Sequence, residues 1–298
     1  MITDLQQAVW VNGERRSGDG PHVSARDRGL TLADGAFETI IAIDGIAFRL
    51  ARHLARLAHA LDVLQIDAPR EMRGWVQTAL ADAGREAAVR LTVTRGPGPA
   101  GVPPPRDASP TVIIALNPLP RFDPAIYEIG LSARVASGRL NEHSMTAGLK
   151  TIAYTDAVAA LVEANRSGAD DAIFVNTESQ CAEATSSNLF VVKSRTLMTP
   201  PLECGVLPGV TREAVLEFAS AVGFAAVERA FGLDDLFAAD EAFLTSSLRG
   251  IAPLVRVDSR AIGDGRPGGA VRRIADSLRA LVAAECRRPA AAGLHRDP

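Results

Sequence analysis

Three prolines among the eight residues Asn117 to Pro124 most constrain what this chain can fold into. Proline lacks a backbone N–H and fixes φ, so neither a helix nor a central strand runs through the segment. It marks a boundary between a unit over 1–119 and a larger one over 120–298. Upstream, Thr39 to Ile43 and Ile46 to Leu50 flank Asp44-Gly45, a pair tolerant of positive φ, which predicts a two-residue β-hairpin. Ala8 to Val11 before Asn12-Gly13 reads as another strand and turn. The period then changes: Leu54, Leu57, Ala58, Leu61 and Leu64 share one face of a helix over 50–66. Val89 to Thr94 and Thr111 to Leu116 read as strands around a Gly- and Pro-rich loop over 96–110, expected to be flexible and near a site.

Downstream, strands and helices alternate more evenly. Strands are expected at 129–135, 172–176, 188–192 and 242–246. A helix over 152–165 stacks Ala153, Ala157, Leu161 and Tyr154, Val158, Val162 in helical rows. A second, over 211–222, has Thr211 as its cap and Glu213 in its first turn, and a third covers 271–286. The last dozen residues read as frayed.

A chain of 298 residues at 47% hydrophobic buries a full core without disulfides or a structural metal. A net charge of -3, with acids and bases interspersed, leaves no basic face for a phosphate backbone, so nucleic acid is not an expected partner. Cys181, Cys204 and Cys286 form no C-x-x-C pair and argue for a reducing compartment. No signal-peptide pattern and no run of eighteen apolar residues is present, so the expected location is the cytoplasm, away from membranes.

Several motifs carry no chemistry. Gly96, Gly98 and Gly101 satisfy G-x-G-x-x-G, but the surrounding prolines forbid the helix that would face a pyrophosphate. The histidines are scattered without ligand spacing, so no metal site is expected; His53 and His59 read as partly solvated. Nucleophile-elbow and P-loop signatures are absent.

Of 32 basic residues only Lys150 and Lys193 are lysine. A lysine retained amid arginines can do what guanidinium cannot, namely lose its proton and act as an amine nucleophile. Lys150 stands before the apolar helix, where its stem would be buried; taken alone, such a lysine is more often a surface charge. Glu183 sits in a polar turn before the strand at 188–192, suited to a heterocycle nitrogen or simply solvated. Leu207-Pro208-Gly209-Val210-Thr211 opens a helix, whose free N–H groups make an anion seat, and Thr245-Ser246-Ser247 adds hydroxyls. Together these are what a lysine-linked phosphorylated cofactor requires.

Ala25 to Leu30 with Ala33 to Thr39 resembles the opening signature of the class IV aminotransferases, the fold-type IV enzymes that use pyridoxal phosphate. His53 to Leu57, Leu149-Lys150-Thr151, Glu183 to Phe190, Leu207 to Arg212 and Phe243 to Ser247 resemble further family motifs in the same order. The likeness implies two α/β parts, an N-terminal antiparallel sheet with helices and a C-terminal barrel-like sheet, the cofactor between them, and a homodimer. It assigns Lys150 as the imine-forming lysine and proton shuttle and Glu183 as partner of the pyridinium nitrogen. Arg56, the backbone of Val210 and Thr211, and Ser247 would take the phosphate, with Tyr154 near the phenolic oxygen. Helical period alone places Arg56 opposite the leucine stripe, facing solvent. Lys193 matches no motif and reads as surface.

Within the family, the Arg-x-His pair of D-amino acid aminotransferases is replaced by Ala100 and Val102, and branched-chain signatures are missing around Leu32 to Asp34 and Thr151 to Ala153. Arg95 to Gly101 is similar to a loop of the 4-amino-4-deoxychorismate lyases, with Ala100 in place of an arginine. The expectation is a lyase acting on a small molecule, with Arg95 and Arg249 as cations for substrate carboxylates. An aminotransferase is the alternative, and a non-catalytic binding protein a third.

Overall fold

A computed structural model describes residues 8–17 and 20–287 of the chain. The frayed C-terminal end expected from sequence lies outside the described residues. The first sheet comprises β1 (Ala8–Val11), β2 (Glu14–Arg16), β3 (Gly35–Ile43), β4 (Ile46–Ala47), β5 (Glu86–Thr94) and β6 (Thr111–Asn117). Its order is β2-β1-β6-β5-β3-β4. Helices α1 (Arg28–Leu32), α2 (Leu50–Val63) and α3 (Met72–Ala81) accompany it. At the β3–β4 turn Asp44 and Gly45 both hold positive φ, 49° and 77°, the geometry that matches the strand twist.

Alternation along β3 decides what each face meets. Ala36, Ile40 and Ala42 pack with Leu57 and Leu61 of α2 and Val76 and Leu80 of α3. The other face sends Ile41 and Ile43 into a separate core with Val215 and Leu278. Phe37 and Thr39, on that same face, border a cavity.

The remaining elements are α4 (Ala125–Glu128), β7 (Leu131–Val135), α5 (Thr155–Arg166), β8 (Asp171–Val175), β9 (Cys181–Ala184), β10 (Asn188–Lys193) and β11 (Thr196–Thr199). They continue with α6 (Val210–Phe218), β12 (Ala225–Glu228), α7 (Leu233–Phe237), β13 (Glu241–Ser246), β14 (Gly250–Val257), β15 (Arg260–Ala261) and α8 (Gly269–Glu285). Strands pair in the order β10-β13-β14-β7-β8-β9, and β9 returns to β10 through Glu183 and Asn188. Six strands therefore close into a barrel, which removes their free edges.

Four local expectations are corrected. Ile152 does not begin a helix: its N–H donates to Gly35 O, and Thr151 bridges Ala36, so this stretch runs extended against β3 before α5 starts. On α5 the Val158–Val162 row faces outward, at 58% and 43% exposure, while Ala160 and Ala164 are buried. Thr211 is not the cap of α6; Gly209 is, and the helix ends at Phe218 with a tight turn over Ser220–Val222. The loop over 96–110 is tied down by Arg28, which donates to the carbonyls of Gly101, Val102 and Pro103.

Candidate active site

A cavity of about 380 Å³ is lined by side chains from both sheets, including Lys150, Tyr154, Glu183, Arg56, Arg90 and Arg249. Lys150 owes its position to β3. Its carbonyl accepts from the N–H of Phe37 at 2.9 Å, so the lysine segment behaves as an added edge strand. Gly148, at φ 72°, turns the chain into that position. The Lys150 amine donates to the Tyr154 hydroxyl at 3.0 Å and lies 4.5 Å from the centre of the Phe37 ring. Burial, with the nearby Arg56 charge, brings the ammonium down to about 8, so a usable fraction is free amine near neutral pH. Burial also pushes the Tyr154 hydroxyl up to about 12, so it stays protonated.

Glu183 ends the barrel seam. Its Oε2 accepts from Asn188 Nδ2 and from the Leu207 N–H, each at 3.0 Å. Asn188 also donates to Leu207 O at 2.8 Å, locking the turn before α6 to the seam. A β-carbon at Gly209 would stand 2.0 Å from Asn188 Oδ1, so only glycine permits this approach. Burial raises the Glu183 carboxyl to about 7. The group therefore sits near its midpoint, ready to share a proton with a basic nitrogen.

Val210 and Thr211, the first residues of α6, line the cavity, and the free N–H groups and dipole of a helix start favour an anion there. The hydroxyls of Ser187 and Thr245, also at the cavity wall, are buried without a hydrogen-bond partner. Buried orphan hydroxyls are costly, and a phosphorylated ligand relieves them. With an amine of lowered pKa and a carboxyl near neutrality, these residues fit pyridoxal phosphate.

Arg56 is 9% exposed and not solvent-facing. At about 100° per residue it lies roughly 40° from buried Ala60, at the margin of the apolar face rather than opposite it. It donates to both oxygens of Glu38 and to Pro208 O. His53, expected to be partly solvated, is 1% exposed and bonded to Glu38. Arg249 faces the cavity, with its Nη1 3.5 Å from the buried Asp171 carboxylate and its guanidinium over Phe122. Arg95 does not reach the cavity lining: Asp34 and the carbonyls of Leu64 and Gln65 engage its donors. Lys193 is exposed, paired with Asp240.

Sequence reasoning missed Arg90, which stacks 3.7 Å from the centre of the Phe37 ring and lines the cavity. The available signal was its register: Val89, Leu91 and Val93 share the buried face of β5, so Arg90 falls on the opposite face, beside Thr39 and the cavity. Glu38 and Asp171 were missed as well; both act through contacts distant in sequence.

The family model for class IV amino-transferases matches residues 35–257. A putative branched-chain-amino-acid aminotransferase from Methanocaldococcus jannaschii is 32% identical, over 91% of this chain and 95% of its own length. The 4-amino-4-deoxychorismate lyase from Pseudomonas aeruginosa superposes with a TM-score of 0.82 at 32% identity, covering 91% of this chain and 98% of the other. A hypothetical aminotransferase from Mycobacterium tuberculosis, in its PLP-bound form, superposes at 0.81 with 26% identity, covering 93% and 99%. The chain belongs to the class IV aminotransferase family, whose members are pyridoxal-phosphate-dependent enzymes of fold-type IV.

Proposed function

We propose that this enzyme is a 4-amino-4-deoxychorismate lyase, releasing 4-aminobenzoate and pyruvate. The observation that carries this reading is the pair Arg90 and Arg249, two arginines lining the cavity besides Arg56. Arg90 makes no ion pair with an acid among the described residues, and Arg249 keeps a buried Nε without a partner. A substrate with two carboxylates suits two such groups.

In this proposal Lys150 anchors the cofactor, Glu183 faces its ring nitrogen and Tyr154 its phenolic oxygen. Arg56, Ser247 and the backbone of Val210 and Thr211 hold the phosphate. When bound, the cofactor supplies a ring that accepts the electron pair released beside the substrate nitrogen. Lys150 Nζ takes the proton from the amine-bearing ring carbon. The carbon–oxygen bond to the enolpyruvyl group breaks, that group leaves and is protonated to pyruvate, and the six-membered ring becomes aromatic. Tyr154, bonded to Nζ, keeps the amine aimed. Arg90 and Arg249 orient the carboxylates.

The second reading is amino-group transfer, favoured by the Methanocaldococcus jannaschii relative and by the apolar walls Phe37, Phe122 and Leu248. Incubation with aminodeoxychorismate and no amino acceptor separates them. The lyase forms 4-aminobenzoate and pyruvate in equal amounts; bleaching of the cofactor band by an amino acid, without aminobenzoate, establishes the transferase. We take the working unit as a homodimer in the cytoplasm. Sedimentation equilibrium tests the dimer.

A further inference from the structure

Glu38 lies on the helix-facing side of β3 and is completely buried. Its Oε1 accepts from Arg56 Nε at 2.8 Å, and its Oε2 accepts from Arg56 Nη2 at 2.6 Å and His53 Nδ1 at 2.7 Å. Arg56 Nη1 donates to Pro208 O at 2.9 Å, on the turn that leads into α6. Of five guanidinium N–H donors, three are used this way, and two are left at the cavity wall.

A free arginine side chain has many rotamers, and the cavity wall holds a carboxylate, Glu183, within electrostatic reach of Arg56. Something must keep the guanidinium at the start of α6 rather than folded onto that acid. The bidentate clasp fixes its plane, and His53 fixes the carboxylate that does the clasping. Burial holds the imidazole neutral, so one Nδ1–H serves Glu38 without adding a second cation.

We infer that Glu38 and His53 are positioning residues, which hold Arg56 of the first sheet's helix at the anion seat of the barrel and so tune affinity for the cofactor's phosphate. The role concerns the cofactor common to lyase and transferase, so it stands whichever of those readings holds, and its test measures binding rather than turnover.

The apoprotein is titrated with pyridoxal phosphate and, separately, with pyridoxal, which lacks the phosphate. In Glu38→Gln, pyridoxal phosphate affinity falls about 10–100-fold while pyridoxal affinity changes less than about twofold. His53→Gln, which moves the amide away from the Nδ1 position, weakens pyridoxal phosphate about 10-fold, and His53→Asn, which keeps a donor there, restores it. In an Arg56→Gln background neither change costs anything further. Equal losses for both ligands, no loss for pyridoxal phosphate, or a further loss without Arg56 would each overturn the assignment. Should Glu38→Gln fail to fold, the two His53 variants decide alone.

Discussion

Two buried glutamates come from opposite parts of the molecule, Glu183 at the cavity wall and Glu38 behind Arg56 on the helix side of β3, and their surroundings give them opposite character. Burial alone would raise the Glu38 carboxyl, but hydrogen bonds from Arg56 and His53 hold it below the usual range. Among the described residues Glu183 has only Asn188 and a backbone N–H as direct partners, and burial lifts it to about 7. Whether a buried acid serves as fixed scaffold or as proton carrier is thus decided by a cation in contact, not by burial. The helix side of the first sheet provides the fixed charge, while the barrel seam provides the group that titrates.

The comparison breaks most visibly at Glu38. Glu38→Leu strands Arg56 and His53 and is expected to lower stability by about 3–5 kcal/mol, measured by urea unfolding. A loss under about 1 kcal/mol would show that Glu38 is not the scaffold. Next comes pH. The Glu183 carboxyl is raised above its unfolded value of 4.5, so its contribution is full below that value and lost as pH rises toward about 7. Glu38 is lowered, so its contribution is present above 4.5 and lost as pH falls through its folded value. Glu183→Gln should therefore remove about 1–3 kcal/mol of apoprotein destabilisation between pH 5 and 7, and an unchanged pH–stability curve would contradict it.

Smaller effects sharpen the contrast between the cavity and the surface. Arg249→Gln removes a charge-assisted contact and is expected to raise KM roughly 10-fold with kcat little altered; a kcat loss alone would remove Arg249 from substrate binding. Lys193→Ala, in an exposed pair with Asp240, should shift stability by less than about 0.5 kcal/mol and leave activity intact.

Elements with local causes were legible in the sequence. Asp44-Gly45 specified its hairpin, the leucine period specified α2, and the proline-rich segment fell between the last strand of the first sheet, ending at Asn117, and β7 at Leu131. Lys150 stood out because arginine displaces lysine elsewhere. What was not legible depends on contacts between distant segments. Ile152 had helical company in sequence but takes its hydrogen bond from β3. Glu38 and Arg56 lie 18 residues apart and meet only when α2 packs on the sheet. Arg95 had the right charge and neighbourhood, yet Asp34 holds it. Period identifies faces, but not which face a neighbouring element will claim.

In the proposed function Lys150 carries the cofactor, and the chain has only one other lysine, Lys193, to compete for it. Borohydride reduction of the yellow holoenzyme followed by peptide mapping should place a single pyridoxyl mass increment on the Lys150 peptide. An increment on Lys193, or none on Lys150, would contradict it.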